Sequence, residues 1–349
     1  MKTLSFIIPA YNSQSFLERC VSSMLAPEIL DCLEIIIVND GSTDATAQIA
    51  ESFCRRWPNV VRLISQENRG HGGAVNTGCA AASGKYLKVI DADDWVEKQN
   101  LPAFLALLDA CGSDVVLTHY RTVDMGTAEE KDHRVFPRAF GVNCPFREIV
   151  ENWSSFEWGL TFHGITYRTD FYRAKAAPLP EHVFYEDHAF AAFPCCRAES
   201  LTCFDLFLYD YRIGDVNQSV SAANQLRRIG QLEAVLRWMA AACQALPEGD
   251  GKRYAALKTQ GVLMSFLSTA LLVNPDRKDG RRQAQAVMAL CRREYPEIEE
   301  SVRRKYRVFA LLNRLGIRKK DWNRILNSGL YQRLRKKQPS QISGNPAEP

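Results

Sequence analysis

Short apolar runs alternate with helical patterns along the first part of the chain. Runs at residues 4–8, 34–38, 60–65 and 86–90 consist mainly of apolar residues, as expected of strands that are buried on both faces of a sheet. The intervening segments carry apolar residues at helical spacing, namely Phe16, Leu17, Cys20, Val21, Met24 and Leu25, then Ile49, Ala50, Phe53, Cys54 and Trp57. Three strand–helix repeats followed by a fourth strand predict an α/β domain with a parallel, doubly wound sheet. Ligands of such sheets bind beyond the carboxyl ends of the strands.

The rest of the chain is predicted to begin with further sheet strands and to end in helices. Strands are expected at residues 114–118 and at 206–212, the second of them closing the sheet. Long helices follow from residue 224, and one apolar stripe typical of core packing consists of Leu226, Ile229, Leu232, Leu236 and Met239. The most apolar stretch, 262–273, is too short to span a bilayer and is predicted to be a buried helix. Residues 339–349 have the composition of a disordered tail.

The composition is ordinary for a soluble globular protein, with 46% hydrophobic and 24% charged residues among 349. The first residues carry one lysine and a short apolar run that ends at Pro9, so we expect no signal peptide. Eleven cysteines occur without a CxxC pair or zinc-type spacing, which indicates small hydrophobic residues in a reducing compartment. The sequence therefore predicts a cytoplasmic location.

The net charge of +4 hides a strongly basic segment near the end of the chain. Residues 303–337 contain 13 Lys and Arg against one acid, Asp321, which leaves 31 basic and 39 acidic residues elsewhere, a balance of −8. Basic amphipathic helices with a tryptophan such as Trp322 suit an anionic membrane surface, which would place the protein on the inner face of the membrane. A solvated basic face is the alternative. No nucleic-acid recognition motif accompanies the charge, so nucleic acid is not expected as a partner.

Three carboxylates follow the fourth predicted strand, at Asp91, Asp93 and Asp94. Neighbouring carboxylates raise one another's pKa unless a cation lies among them. Mg²⁺ and Mn²⁺ prefer carboxylate oxygens and take one or two from the protein beside water and phosphate ligands. The spacing of Asp91 and Asp93 therefore suits a metal site. A solvated loop or helix N-cap is the alternative interpretation.

Other polar groups are expected at the same edge of the sheet. Tyr11 and Asp40 follow the first two strands, and a carboxylate such as Asp40 can accept from an N–H on a nucleobase edge. The segment 67–73 contains Gly70, Gly72 and Gly73, which would let the backbone approach a ligand closely at a helix start that favours a negative group. The glycine spacing matches neither a Walker loop nor a G-x-G-x-x-G fingerprint, which argues against ATPase and NAD-dependent functions.

Four motifs in this order resemble family 2 glycosyltransferases, inverting enzymes of the GT-A fold. They are FIIPAYN, IIIVNDGSTD, ENRGHGGAVNTG and KYLKVIDADDW, and together they cover about the first hundred residues. The resemblance implies a Rossmann-like, mainly parallel GT-A domain over residues 1–222, with a nucleotide-sugar half at 1–112 and an acceptor half at 113–222. A basic helical extension, 223–338, precedes the tail.

The resemblance also implies roles for residues at the sheet edge. Asp40 would read the base, usually uracil, and the nucleotide would be lined by Pro9, Ala10 and Tyr11. Asn68 and Gly70 would lie near the nucleotide and donor sugar. Asp91 and Asp93 would meet the ribose, the diphosphate and a Mn²⁺ or Mg²⁺ ion. Many members carry Arg where this chain has Val75, and we expect His71 or Lys88 to compensate.

The acceptor half contributes the segments TFHGITYRTDF and FYEDHAF. Without the resemblance, Glu186 and Asp187 would be the acidic first turn of an amphipathic helix. The resemblance implies Asp187 as the catalytic base that takes the proton of the acceptor hydroxyl, with Glu186 beside it at the donor or acceptor sugar. His163 and Arg168 would border the acceptor, although an isolated histidine is also compatible with a structural role.

A last weak match follows the strand at 206–212. Arg212, Gln218 and Ser219 resemble a family segment that closes over the diphosphate, while capping of the next helix by Ser219 or Ser221 is an equal alternative. The sequence as a whole predicts metal-dependent transfer of a sugar from a UDP-sugar to a hydroxyl of a glycan, lipid-linked or cell-surface polymer acceptor. The alternatives are a non-catalytic module of the same fold and a sugar-nucleotide pyrophosphorylase, which would need a long glycine-rich loop where this chain has PAYNSQS.

Overall fold

The computed structural model describes residues 2–215 and 222–326. The chain divides into two compact units. The first consists of Met1–Gln218 together with Pro247–Ala255, and the second of Ser219–Leu246 together with Ala256–Pro349. The boundary at residue 222 remains a prediction, and the sequence did not indicate that Pro247–Ala255 would belong with the first unit.

The first unit is built on a sheet of nine strands. The strands are β1 (Leu4–Ala10), β2 (Leu33–Asp40), β3 (Val61–Gln66), β4 (Tyr86–Val89), β5 (Trp95–Val96), β6 (Val115–Asp124), β7 (Glu130–His133), β8 (Ile165–Arg168) and β9 (Leu201–Ile213). The helices are α1 (Leu17–Met24), α2 (Thr46–Arg56), α3 (Gly70–Ala81), α4 (Leu101–Ala110), α5 (Phe146–Glu151), α6 (Trp153–Phe156), α7 (Thr169–Lys175) and α8 (Asp187–Ala192). Short 3₁₀ turns lie at Pro27–Cys32, Lys98–Asn100 and Cys195–Arg197.

The strand order confirms a mainly parallel, doubly wound sheet. The order is β3-β2-β1-β4-β8-β6-β9-β5, with β7 paired to β6. Strands β1 to β4 are parallel, as are β6 and β9, whereas β8 runs antiparallel between β4 and β6. Strand β9 is longer than the predicted 206–212 and does not close the sheet, because β5 pairs along its outer side.

The continuous apolar runs explain why β1 and β2 are interior strands of this sheet. Every residue of β1 is buried, as are all residues of β2 except one. One face packs against the apolar stripe of α1, where Leu17, Cys20, Val21 and Met24 are fully buried. The small-residue helix α3 lies against β1 and β2 as well. Burial on both faces leaves only the strand ends available for polar chemistry.

The described part of the second unit is helical, as predicted. Its helices are α9 (Ala222–Arg227), α10 (Ile229–Gln244), α11 (Asp250–Ser268, which begins in the first unit), α12 (Arg277–Glu294), α13 (Pro296–Leu315) and α14 (Lys319–Leu326), and a π-helical turn covers Thr269–Val273. In the stripe predicted for the core, Leu232, Leu236 and Met239 are buried, whereas Leu226 and Ile229 are only half-buried because they lie at the helix ends.

One segment within the described residues, Asp250–Val273, is long and apolar enough to cross a membrane by length and composition. In its most apolar window, 56% of the residues are buried inside the protein. Val262, Leu263, Phe266 and Leu267 are buried almost completely. Burial of this kind is typical of a core helix, so the segment is only weak evidence for a membrane span.

Candidate active site

The polar groups that follow β1, β2 and β4 lie at one edge of the sheet, because these strands are parallel and end on the same side. Pro9 and Ala10 are buried within β1, whereas the side chain of Tyr11, directly after the strand, is 53% exposed. Asp40 ends β2, and Asp91 follows β4 by two residues. The local pattern of apolar strands ending in polar residues therefore produces a polar edge.

Asp40 is held in place by the turn that follows β3. Its Oδ1 accepts hydrogen bonds from Gln66 Nε2 at 2.7 Å and from the backbone N–H of Arg69 at 2.9 Å. Asn68 Nδ2 donates to the Asp40 carbonyl at 3.0 Å, and its Oδ1 accepts from Gly70 N at 3.2 Å. Asp40 is only 2% exposed, so its orientation is fixed before any ligand binds.

The three carboxylates after β4 lie close together but differ in environment. Carboxylate oxygens of Asp91, Asp93 and Asp94 all lie within 4.8 Å of one another. Asp94 is buried, where its Oδ2 accepts from the Tyr209 hydroxyl at 2.5 Å and its Oδ1 from Arg212 N at 2.7 Å. Burial raises the pKa of Asp94 well above its usual value, and the charges of Asp93 and Asp91 raise it further. Asp94 thus joins residues 91–94, called the aspartate segment below, to β9.

Asp91 and Asp93 remain partly exposed and are the carboxylates available to a ligand or cation. The Asp93 side chain is 34% exposed, and its Oδ2 lies 3.6 Å from Arg212 Nη1. Arg212 also donates to Asp215 at 3.1 Å, and its guanidinium lies 4.5 Å from the ring centre of Phe16. Two accessible carboxylates beside a buried third form an oxygen donor set of the kind that Mg²⁺ and Mn²⁺ bind.

His71, at the second position of α3, joins the aspartate segment to the Glu-Asp pair formed by Glu186 and Asp187. Its Nε2 lies 2.8 Å from Asp91 Oδ1, and its Nδ1 lies 2.5 Å from Glu186 Oε1. Burial lowers the pKa of His71, but the two carboxylates outweigh that effect and raise it well above its usual value. A protonated imidazole donates from both nitrogens, so His71 can donate to Asp91 and to Glu186 at the same time. The sequence suggested His71 only as a substitute cation for the diphosphate.

The glycines of α3 serve a packing role that the sequence did not indicate. A Cβ added at Gly72 would lie 2.4 Å from the Pro180 carbonyl oxygen, and one at Gly70 would lie 2.9 Å from His182 N. Gly70 also has φ of +77°, a conformation that other residues rarely adopt. The expectation that these glycines admit a ligand is therefore incomplete, since Gly70 and Gly72 accommodate the segment before α8.

Two further contacts hold the segment before α8 against α3. Asn76 Nδ2 donates to the Leu179 carbonyl at 3.0 Å, while Asn76 Oδ1 accepts from Leu179 N at 2.9 Å. Arg69 forms an ion pair with Glu181. Helix α3 therefore sets the position of the residues that follow this segment, including Glu186 and Asp187.

Glu186 and Asp187 are neighbours in sequence but differ in exposure. Glu186 is 3% exposed, and its Oε2 is buried without a hydrogen-bond partner among the described residues. Asp187 begins α8 and is only half-buried. Within residues 2–215 and 222–326, no hydrogen bond or ion pair engages the Asp187 carboxylate. Asp187 is therefore the member of the pair that is open to a ligand.

His163 lies near Asp91 and Asp187 within an aromatic stack. Its ring is stacked between Tyr120, at a centroid distance of 5.0 Å, and Tyr211, at 4.2 Å. Burial lowers the pKa of His163 to about 4, although the charges of Asp91 and Asp187 act in the opposite direction. Its Nδ1 is buried and has no partner in the described part of the chain. A neutral imidazole with an unused nitrogen is thus located near both carboxylates.

Two residues that the sequence associated with the site are used elsewhere. Arg168 pairs with Asp114 at 2.9 Å and Asp170 at 2.7 Å, and it lies opposite Tyr86 at the start of β4, the edge away from Asp91. The expectation that Arg168 borders the acceptor is therefore wrong. Because β8 runs antiparallel to β4, Arg168 lies beside the first residue of β4, whereas Asp91 follows the last.

Lys88 is the second residue that the sequence associated with the site and that the structure uses elsewhere. Its Nζ donates to the carbonyls of His163 at 2.7 Å and Ile165 at 3.1 Å, and burial lowers its pKa to about 7. Lys88 thus supports the segment that carries His163, and it does not replace the missing arginine at Val75. Gln218 and Ser219, expected to close over a diphosphate, lie outside the described residues.

Sequence reasoning missed Tyr209 and Tyr211, which support Asp94 and His163 from β9. The two-residue period of a strand places both side chains on one face, and this period is visible in LFLYDYR. Nothing local showed that the face would meet Asp94, because 115 residues separate Tyr209 from Asp94 in the chain.

Comparison with known proteins agrees with the architecture. The solved structure of Staphylococcus aureus TarS 1–349 in complex with UDP-GlcNAc superposes with a TM-score of 0.65 at 19% identity, covering 91% of this chain and 93% of that chain. This likeness confirms the GT-A fold with a helical C-terminal region. The sequence model described as glycosyl transferase family 2 matches residues 5–179, half of the chain. The protein belongs to glycosyltransferase family 2.

Curated relatives are glycosyltransferases as well. The chain is 30% identical over 223 residues to the putative glycosyltransferase EpsH of Bacillus subtilis, which covers 60% of each protein. It is 43% identical over 93 residues to the uncharacterized glycosyltransferase EpsJ of the same organism, covering 27% of this chain and 26% of EpsJ. Chondroitin synthase of Escherichia coli is 44% identical over 94 residues, covering 27% and 13%. The matches thus span at most 60% of these relatives.

Proposed function

We propose that the protein transfers a sugar from a UDP-sugar to a hydroxyl of a glycan, lipid-linked or cell-surface polymer acceptor, with inversion at the sugar carbon. The observation that carries the proposal is the bridge from Asp91 through His71 to Glu186. This bridge brings the aspartate segment after β4 close to the Glu-Asp pair at α8. A leaving diphosphate would lie at the aspartate segment and an acceptor hydroxyl at the Glu-Asp pair. The two would then be on opposite sides of one sugar ring.

Donor binding would use the polar edge of the sheet. The fixed carboxylate of Asp40 suits an N–H donor of uracil, and TarS, which shares the fold, has been crystallised with UDP-GlcNAc and with UDP. The remaining donor contacts are assigned to Pro9, Ala10, Tyr11, Asn68, Gly70, Asp91 and Arg212. Arg212 would donate to the diphosphate, with Gln218 and Ser219 as further candidates.

Asp93 and Asp91 would hold a Mn²⁺ or Mg²⁺ ion, since they are the partly exposed members of the oxygen cluster. When bound, such an ion would neutralise charge on the departing diphosphate. Asp94 would keep both carboxylates in position through Tyr209 and the backbone of Arg212. Arg212, 3.6 Å from Asp93, would add a second positive charge near the leaving group.

Asp187 is the proposed catalytic base. The acceptor oxygen would form a bond to the anomeric carbon while the bond from that carbon to the diphosphate oxygen breaks, and the hydroxyl proton would pass to Asp187. Glu186 would orient the sugar beside it, and its placement depends on His71. The neutral Nδ1 of His163 would hydrogen-bond a sugar hydroxyl, since it has no partner among the described residues.

The proposal includes a cytoplasmic location and excludes nucleic acid as a partner. A pyrophosphorylase is disfavoured, because only residues 11–16 separate β1 from α1 and leave no room for a long glycine-rich loop. A non-catalytic module of the same fold makes a different experimental prediction. It would bind a nucleotide sugar but release no nucleotide from it.

The test is release of nucleotide from a panel of UDP- and GDP-sugars by the full chain with Mn²⁺, followed with a coupled assay. We expect slow UDP release from at least one UDP-sugar, its loss on chelation of the metal, and its loss in Asp187→Asn with UDP binding retained. UDP binding without release would favour the non-catalytic module. Undiminished turnover in Asp187→Asn would refute the assignment of the base.

A further inference from the structure

An apolar stripe surrounded by positive charge is exposed on α13, and the proposed catalytic function does not involve it. Val308, Leu311 and Leu315 are 40%, 55% and 66% exposed. Their spacing of three and four residues places them on one face of the helix. Single exposed apolar residues are common on protein surfaces, but a contiguous stripe marks a contact surface.

The charged residues from Arg303 to Lys320 all have one sign. Exposed basic residues precede, flank and follow it, namely Arg304, Lys305, Arg307, Arg314, Arg318 and Lys320. No ion pair joins any of these six to a carboxylate within the described residues. The acidic residues of the helix, Glu297, Glu299 and Glu300, lie in its first two turns, and Glu299 is buried against Arg292 and Arg303. The C-terminal half of α13 is therefore purely basic and apolar on its exposed face.

We propose that this half of α13 binds the surface of an anionic lipid bilayer, with Val308, Leu311 and Leu315 inserted at the level of the headgroups and the surrounding basic side chains on lipid phosphates. An interfacial helix has this arrangement of an apolar stripe beside Lys and Arg. The inference is independent of the glycosyl-transfer proposal, because it concerns binding alone.

The charge pattern disfavours other occupants of the same face. A second copy packed by two-fold symmetry would oppose like charges, because such an interface uses the same surface on both partners. The segment that follows in the sequence carries Arg333, Arg335, Lys336 and Lys337, so the same repulsion applies to it. A nucleic acid backbone would satisfy the cations but would offer nothing to three aligned apolar side chains.

The experiment is flotation of the full chain with vesicles of phosphatidylcholine alone or mixed with phosphatidylglycerol. We expect flotation only with the anionic vesicles and a progressive loss as salt is added, because charges at the surface are screened. This comparison uses the unaltered protein, so it does not depend on the folding of any variant. Equal flotation with neutral vesicles, or none with either, would overturn the proposal, and the second result would identify a solvated basic face.

Two pairs of substitutions separate the charged and apolar contributions. Arg307→Gln with Arg314→Gln should weaken partitioning by roughly fivefold per charge, about 25-fold together. Leu311→Gln with Leu315→Gln should abolish flotation while the net charge of the helix is unchanged. The control pair is Phe136→Glu with Arg138→Gln, which alters an exposed aromatic residue and an exposed arginine of the first unit. Flotation of both α13 variants at the level of the control would refute the assignment of this face.

Discussion

Nδ1 of His71 lies 2.5 Å from Oε1 of Glu186, which is 115 residues further along the chain. The contact joins the glycine-rich helix α3 to the residue that precedes the proposed base. The same imidazole also meets Asp91, so a single side chain contacts both the carboxylate after β4 and the residue before the proposed base. His71 is therefore a positioning residue in the proposed reaction.

Replacing His71 by Asn should separate binding from turnover. Asn is too short to reach both carboxylates, so Glu186 would remain buried without its partner, at a cost of about 1–3 kcal/mol in unfolding free energy. Misplacement of the neighbouring Asp187 should lower kcat by about a hundredfold, with KM for the donor changed much less. Thermal unfolding and steady-state kinetics measure the two effects. His182→Asn, at an exposed histidine of the same segment, is the control, and an equal loss in both variants would contradict this role.

The substitution Gly72→Ala should disturb the site indirectly, because the added methyl group meets other protein atoms and no ligand. The new methyl group would lie 2.4 Å from the Pro180 carbonyl oxygen and 3.0 Å from Glu186 Cγ, so the segment before α8 must move. We expect loss of transfer while UDP binding, measured by calorimetry, stays within a few-fold of the parent. Gly261→Ala is the matched control, because its Cβ meets nothing within 4 Å and alanine favours the helix by about 1 kcal/mol. Full activity in Gly72→Ala would show that the segment tolerates the displacement.

The adjacent carboxylates Asp93 and Asp94 should give different phenotypes. Asp93→Asn should leave the melting temperature nearly unchanged and weaken Mn²⁺-dependent UDP binding, since Asp93 is partly exposed. Asp94→Ala should destabilise the fold by about 1–3 kcal/mol, because the buried Tyr209 hydroxyl and Arg212 N–H lose their acceptor. Denaturant unfolding and titration with UDP, each with and without Mn²⁺, distinguish the two. The reverse pattern would contradict the division into ligand-facing and structural carboxylates.

His133 should make the protein sensitive to acid. Burial lowers the pKa of His133 to about 4, while an unfolded histidine titrates near 6.5, so the unfolded state binds more protons between these values. The unfolding free energy should therefore fall as the pH drops from about 6.5 to 4, by at most about 3 kcal/mol from this residue. His133→Phe, which keeps an aromatic ring against Tyr120, should make that dependence less steep in urea titrations, with the contribution of His163 remaining. Parallel pH profiles for the two proteins would contradict the assignment.

Local patterns predicted much of the fold from β1 to β4. The buried runs of β1 to β4 and the intervening helical spacing were sufficient for a parallel sheet, and the polar residues after each strand indicated the functional edge. The insertion of β8 between β4 and β6 was not predictable in this way, because strand pairing at long separation leaves no local period. The four-residue β7 also escaped, since its sequence EKDH is mostly charged and exposed.

The sequence by itself determined the family, the fold class and the identity of most candidate side chains, because these follow from short motifs and from apolar periodicity. Only the tertiary structure decided which aspartate is buried, why Gly72 has no side chain, and that His71 connects the two halves of the site. Those properties depend on Tyr209, Pro180 and Glu186, each more than a hundred residues away in the chain. The environment of a side chain depends on residues that the folded chain brings into contact with it. A local sequence pattern does not show which residues these are.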